Sequence, residues 1–226
     1  MHASHARLIV FAKAPVPGQV KTRLASCLGS ERAARIHERL TLHTLEMATR
    51  HVSCPIELWC SPGTEHGFFQ DCRQRYPLTL HTQQGEDLGA RMAHAFASAL
   101  GRGGHAVLIG TDCPILDGAH LDLAFDTLAQ GHDAVLTPAA DGGYVLIGLS
   151  RPSPELFSRI AWGNSKVYCE TTARLERLGW RWRELERLWD IDTASDLNRL
   201  LGLECRSLPT RLQRLISNLK TLARNP

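Results

Sequence analysis

Short runs of apolar residues alternate along most of the chain with longer segments in which apolar residues recur at helical spacing. A short apolar run is typical of a strand buried on both faces, and helical spacing is typical of a helix with one face on the core. The runs predict strands at 7–12, 56–60, 78–82, 106–110, 134–137, 144–149 and 182–185. The spaced segments predict helices at 30–51, 65–75, 87–100, 117–130, 154–159, 167–178 and 194–201, with Ser30 as the cap of the first.

This alternation predicts the fold class. The early connections are long enough to return the chain to a parallel strand, so we expect a doubly wound α/β fold with a mostly parallel central sheet in a three-layer α/β/α arrangement. The length of 226 residues suits a single domain. A basic amphipathic helix is expected at 204–226, with its apolar side packed on the core or on a second subunit of a homo-oligomer.

Charge and composition narrow the function classes. The formal net charge of +3 suits a protein that binds phosphates but falls short of the basic face of a duplex binder, so we expect no nucleic-acid partner. No apolar run approaches the roughly 18 residues of a membrane span, and no secretory leader is recognised, so we predict no membrane span and a cytoplasmic location. The seven cysteines form no CxxC pair, which argues against a disulfide framework or a zinc ribbon.

The loop after the first predicted strand concentrates cations. Its sequence, FAKAPVPGQVKTRL, places Lys13, Lys21 and Arg23 around two prolines and a glycine. Cations at the carboxyl end of a strand can hold a polyphosphate, and Gly18 would let backbone amides approach it. The alternative is a solvated turn, and in either case Lys21 and Arg23 are expected to be exposed. The spacing matches neither a Walker A loop nor a GxGxxG loop.

Two acidic segments supply candidate metal ligands. Asp112 directly follows the strongest predicted strand, where a carboxylate can bind magnesium, although it could instead cap the next helix. In WDIDTASDL, Asp190 and Asp192 are two positions apart, so an extended segment would place both on one side. Asp196 is expected to be structural, at the start of a helix capped near Thr193.

Two glycine-containing segments are further site candidates. In PAADGGYVLIGL, Asp141 precedes two glycines, which is typical of a hairpin turn, of close backbone access to a ligand, or of both. In TQQGEDLGARM, Gln83 and Gln84 are candidate amide readers of a nucleotide base. Gly89 and Arg91 lie near the start of a predicted helix.

Five motifs, taken in this order, resemble the bacterial DUF2064 family: FAKAPVPGQVKTRL, QQGEDLGARM, IGTDCP, DGGYVLIGL and WDIDTASDL. The match spans about positions 8 to 200. The family is also described as a transferase associated with radical-SAM and arsenosugar gene clusters. It is similar to the nucleotide-diphospho-sugar transferases, whose Rossmann-like GT-A fold serves glycosyltransferases and nucleotidyltransferases such as the molybdenum-cofactor and phospholactate guanylyltransferases.

The resemblance implies roles for individual residues. Asp112 and Asp192 would bind one metal ion, Mg²⁺ or Mn²⁺, and the candidate catalytic residues are Lys21, Arg23, Asp112 and Asp141. The implied nucleotide site comprises Ala12, Lys13, Ala14, Gly18, Lys21, Arg23, Gln83, Gly89 and Thr111. The implied acceptor site comprises Asp141, Gly142, Gly143, Tyr144, Trp162 and Asn164, together with Gly163. The chain departs from the family on this acceptor side, because it reads WGNS at 162–165 where the family reads close to WST.

Three functions follow as hypotheses. The leading one is a magnesium-dependent nucleotidyltransferase that releases pyrophosphate, because clustered cations and a metal suit a triphosphate and its leaving group. The rival is a glycosyltransferase that uses a nucleotide-sugar donor, as in arsenosugar-type biosynthesis, with Asp141 as base. The basic loop and a lone Asp112, instead of an Asp-x-Asp pair, favour the first. The third is a nucleotide-binding regulator without turnover. The expected partners are a nucleoside triphosphate or nucleotide sugar and a small-molecule acceptor.

Overall fold

A computed structural model describes residues 6–204 and 208–224. The strands are β1 (Ala6–Lys13), β2 (Ile56–Ser61), β3 (Leu78–Thr82), β4 (His105–Ile109), β5 (Ala134–Pro138), β6 (Tyr144–Leu149) and β7 (Trp182–Glu184). The helices are α1 (Thr22–Leu28), α2 (Ser30–His51), α3 (Gly67–Arg75), α4 (Leu88–Leu100), α5 (Gly118–Ala129), α6 (Pro154–Phe157), α7 (Val167–Arg177), α8 (Ala194–Leu201) and α9 (Thr210–Arg224). Every predicted strand is confirmed, with each end within one residue of its predicted position.

The described strands form one seven-stranded sheet in the order β3-β2-β1-β4-β6-β5-β7. β1 pairs in parallel with β2 and β4, β2 pairs in parallel with β3, and β7 pairs in parallel with β5. β6 runs antiparallel between β4 and β5. The predicted α/β fold with a mostly parallel sheet is confirmed.

The pleat of β1 shows why its sequence is an unbroken apolar run. Leu8, Val10 and Ala12 pack towards one helical layer, which contains α2, α3 and α5. Ile9 and Phe11 pack towards the other layer, which contains α4, α6 and α7. Since successive side chains of a strand point to opposite faces, a strand covered on both faces needs apolar residues at every position.

The C-terminal helix α9 packs on α2 and α8. Its buried residues Leu212, Leu215, Ile216 and Leu219 join a cluster that includes Ile36 of α2 and Leu200 of α8. This packing accounts for the apolar side of the predicted segment 204–226, of which residues 205–207 and 225–226 lie outside the described residues. Among the described residues, no helix is long and apolar enough to cross a membrane.

The chain between β1 and α2 differs from the prediction. The sequence predicts a loop there, whereas residues Thr22–Leu28 form the short helix α1. Only Leu24 of this helix is buried, so its seven residues carry no apolar period that could reveal it. The cap of α2 is Gly29 and not Ser30, which is the first helical residue.

His43 is a buried histidine on α2 that holds the loop after β4. The residue is 5% exposed, and its Nε2 donates a hydrogen bond to the carbonyl oxygen of Pro114 at 3.1 Å. Burial, together with the positive charge of Arg211, lowers the pKa of His43 to about 4. His43 is therefore neutral in the folded protein at neutral pH.

We expect the variant His43→Gln to lose less unfolding free energy than the wild type when the pH falls from 8 to 5. In the unfolded chain His43 regains a pKa of about 6.5, so acid favours unfolding as the pH falls from about 6.5 to about 4. At pH 5 this linkage costs the wild type about 2 kcal/mol of unfolding free energy relative to pH 8. Glutamine can donate to Pro114 but does not titrate. Urea unfolding at the two pH values measures the difference, and an equal loss in both proteins would contradict this role.

Candidate active site

The carboxyl ends of β1 and β4 lie side by side, and the chain leaves them towards opposite edges of the sheet. Ligands of open α/β sheets bind at such a switch point. A cavity of about 440 Å³ opens there. Its walls include eight of the residues predicted for the nucleotide and metal sites: Ala12, Lys13, Lys21, Arg23, Gln83, Thr111, Asp112 and Asp192.

Lys21 lies at the centre of this site. It is the N-cap residue of α1 and has left-handed backbone angles, φ 49° and ψ 44°, which are uncommon outside glycine. Its Nζ lies 2.6 Å from Asp112 Oδ1 and 3.0 Å from Asp192 Oδ1, and it donates to the carbonyl oxygen of Ile191 at 2.6 Å. The side chain is 3% exposed. The prediction that Lys21 is exposed is therefore wrong, because three acceptors enclose its ammonium group, whereas Arg23 is exposed as predicted.

Asp112 and Asp192 are far apart in the sequence but share the Lys21 ammonium. The backbone brings them together, because the amide of Ile191 donates to the carbonyl oxygen of Asp112 at 2.9 Å and so ties the acidic segment to the end of β4. Each aspartate side chain is 41% exposed, and both line the cavity. Both aspartates therefore face the cavity as well as Lys21.

The capping alternatives for the aspartates are resolved by the helix starts. Asp117, and not Asp112, caps α5, in a capping box with His120. Asp196 forms the capping box of α8 with Thr193, which confirms the structural role expected for it. Asp112, which follows the end of β4, therefore does not cap α5.

His37 on α2 is a site residue that the sequence analysis missed. The residue is 5% exposed and lines the cavity. Its Nε2 donates to the carbonyl oxygen of Lys13 at 3.0 Å, and its Nδ1 lies 3.7 Å from Asp112 Oδ1. A usable signal was present, since position 37 follows Ala33 by four residues and precedes Leu40 by three, which places this polar residue on the buried face of the helix.

The charged groups around Lys21 shift one another's pKa values. Burial opposes ionisation of Asp112, but the Lys21 ammonium and His37 outweigh it and hold the pKa of Asp112 below its usual value. Burial would likewise lower the pKa of Lys21, yet Asp112 and Asp192 raise it. Burial and repulsion from Asp112, Asp192 and Asp141 raise the pKa of Asp190 to about 8. Asp190 therefore largely keeps its proton at neutral pH and adds little charge to the site.

A second cavity, of about 310 Å³, adjoins the first. Its walls include the predicted acceptor residues Asp141, Gly143, Tyr144, Trp162, Gly163 and Asn164. Eight residues line both cavities: Phe11, Arg23, Leu88, Gly110, Tyr144, Val145, Asp190 and Asp192. A ligand in the second cavity would thus lie next to the acidic segment and to the basic loop.

The walls of the second cavity are fixed by local contacts. Gly142 has φ +93°, and a side chain there would collide with Ser165, since a Cβ would lie 2.2 Å from its carbonyl oxygen. The side-chain amide of Asn164 is hydrogen-bonded within the same segment. Its Oδ1 accepts from the backbone amide of Lys166, and its Nδ2 donates to the carbonyl oxygen of Ala161. Gly142 and Asn164 therefore shape the acceptor side through packing and turn geometry.

The hairpin between β5 and β6 contains Asp141. Its Oδ1 accepts a hydrogen bond from the amide of Gly143 at 2.9 Å, which closes the turn, and the residue is exposed at the cavity. The hairpin-turn interpretation is therefore confirmed, and Asp141 also lines the second cavity.

Three residues predicted for the nucleotide site lie outside the first cavity. Gly18 is exposed on the loop and does not line this cavity. Ala14 is buried and lines a neighbouring cavity of about 260 Å³ together with Lys13 and Arg91. Gly89 is buried beneath Trp162, where a Cβ would lie 2.6 Å from the indole nitrogen. Close packing on Trp162 therefore requires a glycine at position 89, and the residue does not line the first cavity.

The comparisons with solved structures define the class of fold. A structure from Desulfovibrio desulfuricans, described as a candidate nucleotide-diphospho-sugar transferase, is 30% identical, with 98% of this chain and 97% of that chain covered and a TM-score of 0.84. CMP:2-keto-3-deoxy-manno-octonic acid synthetase in complex with CTP is 10% identical, with 91% and 100% covered and a TM-score of 0.56. The 4-diphosphocytidyl-2C-methyl-D-erythritol synthase of Anaerococcus prevotii is 10% identical, with 84% and 94% covered and a TM-score of 0.53. The fold is that of the nucleotide-diphospho-sugar transferases and cytidylyltransferases.

Within this fold class the family can be stated. The family model described as an uncharacterized protein conserved in bacteria, DUF2064, matches residues 44–164. This chain belongs to the DUF2064 family, as its motifs indicated. A comparison with curated proteins gives no significant match.

We expect Lys21→Met to destabilise the protein and Arg23→Ala, its matched control, to leave stability nearly unchanged. Loss of the ammonium leaves Asp112 and Asp192 facing each other without a countercharge. Because both side chains are partly exposed, water can solvate them, and we expect a loss of about 1 to 3 kcal/mol instead of the larger cost at a fully buried pair. Arg23 is exposed, so its removal should change stability by less than about 0.5 kcal/mol. Urea unfolding measures both, and equal stability of the two variants would show that the Lys21 contacts contribute nothing.

Proposed function

We propose that the protein is a magnesium-dependent nucleotidyltransferase that releases pyrophosphate. The observation that carries the proposal is that Asp112 and Asp192 converge on the ammonium of Lys21. Lys13 and Arg23 line the same cavity as these two aspartates. A nucleoside triphosphate needs both features, because its phosphates are neutralised by a metal and by side-chain cations. The adjoining second cavity, which Asp192 also lines, would give the acceptor a place next to the first.

The residues present fit a magnesium ion bound together with phosphates. Among the described residues no group of three or more His, Cys, Asp or Glu side chains could hold a metal ion. Magnesium, however, is usually bound by one or two carboxylates plus substrate phosphates and water. Asp112 and Asp192 would supply the two carboxylates, and they already enclose a cation in the form of Lys21. The ion would neutralise phosphate charge in the transition state.

The protein's own residues would place the two substrates and stabilise the leaving group. An anionic oxygen of the acceptor would form a bond to the α-phosphorus, the bond from that phosphorus to the bridging oxygen would break, and its electron pair would leave with pyrophosphate. Lys13 and Arg23 would bind the departing phosphates, whose charge rises as that bond breaks. No covalent intermediate on a side chain is needed, since phosphoryl transfer depends mainly on positioning and charge stabilisation.

The second candidate is a glycosyltransferase that uses a nucleotide sugar. It is favoured by the 30% identical structure, which is described as a candidate nucleotide-diphospho-sugar transferase, and by the carboxylate of Asp141 at the second cavity. The products separate the candidates, because a nucleotidyltransferase releases pyrophosphate from a triphosphate and a glycosyltransferase releases a nucleoside diphosphate from a nucleotide sugar. A protein that binds nucleotide tightly but forms neither product would be a regulator.

We expect Asp112→Asn and Asp192→Asn each to lower pyrophosphate release by at least about 100-fold, and the double variant to lose little more than either single variant. Both residues would act on one ion, and groups that act as a unit are strongly non-additive. Asp122→Asn, at an exposed aspartate on α5, is the matched control and should keep wild-type turnover. Full turnover of either active-site variant, or of the wild type in EDTA, would contradict the proposal.

A further expectation concerns metal binding without turnover. Lys21 and a divalent ion compete for the same two carboxylate oxygens, so Lys21→Met should bind Mn²⁺ more tightly than the wild type in the absence of nucleotide. Electron paramagnetic resonance of free Mn²⁺ measures this affinity directly. Adding Asp192→Asn to Lys21→Met should reverse the gain. Unchanged Mn²⁺ affinity in Lys21→Met would show that these two carboxylates do not hold the ion.

A further inference from the structure

Gln83 is held in a fixed orientation at the carboxyl edge of the sheet. It directly follows β3, and its backbone amide donates to the carbonyl oxygen of Cys60 at 2.9 Å. Its side-chain nitrogen Nε2 donates to the carbonyl oxygen of Trp59 at 2.8 Å and to that of Ala12 at 3.3 Å. Gln83 thus links the ends of β1 and β2 through two main-chain acceptors.

These contacts decide which polar atom Gln83 can offer to a ligand. A glutamine amide has two N–H donors on nitrogen and an oxygen that only accepts. Both partners of the nitrogen are carbonyl oxygens, which cannot donate, so the amide cannot be turned round without placing oxygen against oxygen. Both donors are therefore engaged with backbone. The side chain lines the first cavity, and its remaining polar group is the acceptor Oε1.

The surroundings of Gln83 suit the ring of a base. Leu88 lines the same cavity and is 44% exposed, which makes it one of two large hydrophobic residues exposed in the described part of the chain. Phe11 also lines this cavity. Apolar walls next to a few oriented polar groups are typical of pockets that bind small molecules. The cations Lys13 and Arg23 line the cavity as well and would take the phosphates.

We propose that Gln83 selects the nucleobase as a hydrogen-bond acceptor, so that the site prefers a base with an exocyclic amino group over one with an oxo group at the same ring position. This inference rests on the proposed function, because it takes the first cavity to hold a nucleotide. The amino groups of cytosine, adenine and guanine donate hydrogen bonds, whereas the oxo groups of uracil and hypoxanthine only accept them. An oxo group facing Oε1 would leave two acceptors opposed and desolvated, which weakens binding.

The test compares nucleotides that share their phosphates and ribose. Calorimetric titration with Mg²⁺ would measure wild-type affinity for the pairs CTP and UTP, ATP and ITP, and GTP and XTP, in each of which an exocyclic amino group is replaced by an oxo group. We expect the wild type to bind the amino member of at least one pair about tenfold or more tightly than the oxo member. Gln83→Met keeps the length of the side chain but removes its amide, so the preference within that pair should fall close to one. Gln74→Met, at an exposed glutamine on α3, is the matched control and should keep the preference.

The outcomes separate this inference from the proposed function. If no nucleoside triphosphate binds with Mg²⁺, the proposed function is overturned and base selection falls with it. If triphosphates bind with equal affinity within all three pairs, base selection is wrong while the proposed function stands, and this holds whether or not Gln83→Met folds. If Gln83→Met keeps the preference of the wild type, a residue other than Gln83 recognises the base and the inference is wrong.

Discussion

The site depends on the contact between the Lys21 ammonium and the carboxylates of Asp112 and Asp192. Two carboxylates that lie this close together repel each other, and a cation between them removes that repulsion. The contact also joins three separate pieces of chain: the loop after β1, the end of β4 and the segment before α8. Lys21 reaches this position from a left-handed backbone conformation, which the surrounding contacts must stabilise.

Asp190 and Asp192 of the acidic segment line both cavities of the cleft. Lys13 lines the first cavity, the hairpin carboxylate of Asp141 and the segment around Trp162 line the second, and Arg23 lines both. Two adjoining cavities suit the proposed reaction between two different substrates. Burial and the neighbouring carboxylates raise the pKa of Asp190 to about 8, which favours its neutral form near neutral pH.

The WGNS segment at 162–165, which the motif comparison singles out, borders the second cavity, and its first three residues line it. Gly142 packs directly on Ser165, and the carbonyl oxygen of Gly142 accepts a hydrogen bond from the amide of Tyr168. The hairpin that carries Asp141 and the WGNS segment are therefore one packed unit. A change in one would therefore alter the shape that the other presents to the second cavity.

The sequence by itself determined the elements and the edge of the sheet where the site lies. Apolar runs such as 106–110 must be buried on both faces, and polar residues that follow parallel strands gather at one edge, so Lys13 and Asp112 could be placed there from the sequence. Local patterns also identified Asp196 as a capping residue, because capping depends on neighbours within one turn. Tertiary structure alone decided that Lys21 is enclosed by two aspartates, that His37 faces Asp112, and that the Gln83 amide is engaged with β1 and β2. Each of these contacts joins residues from separate elements. Local sequence patterns contain no information on the distance between such side chains, because they meet only after the sheet has formed.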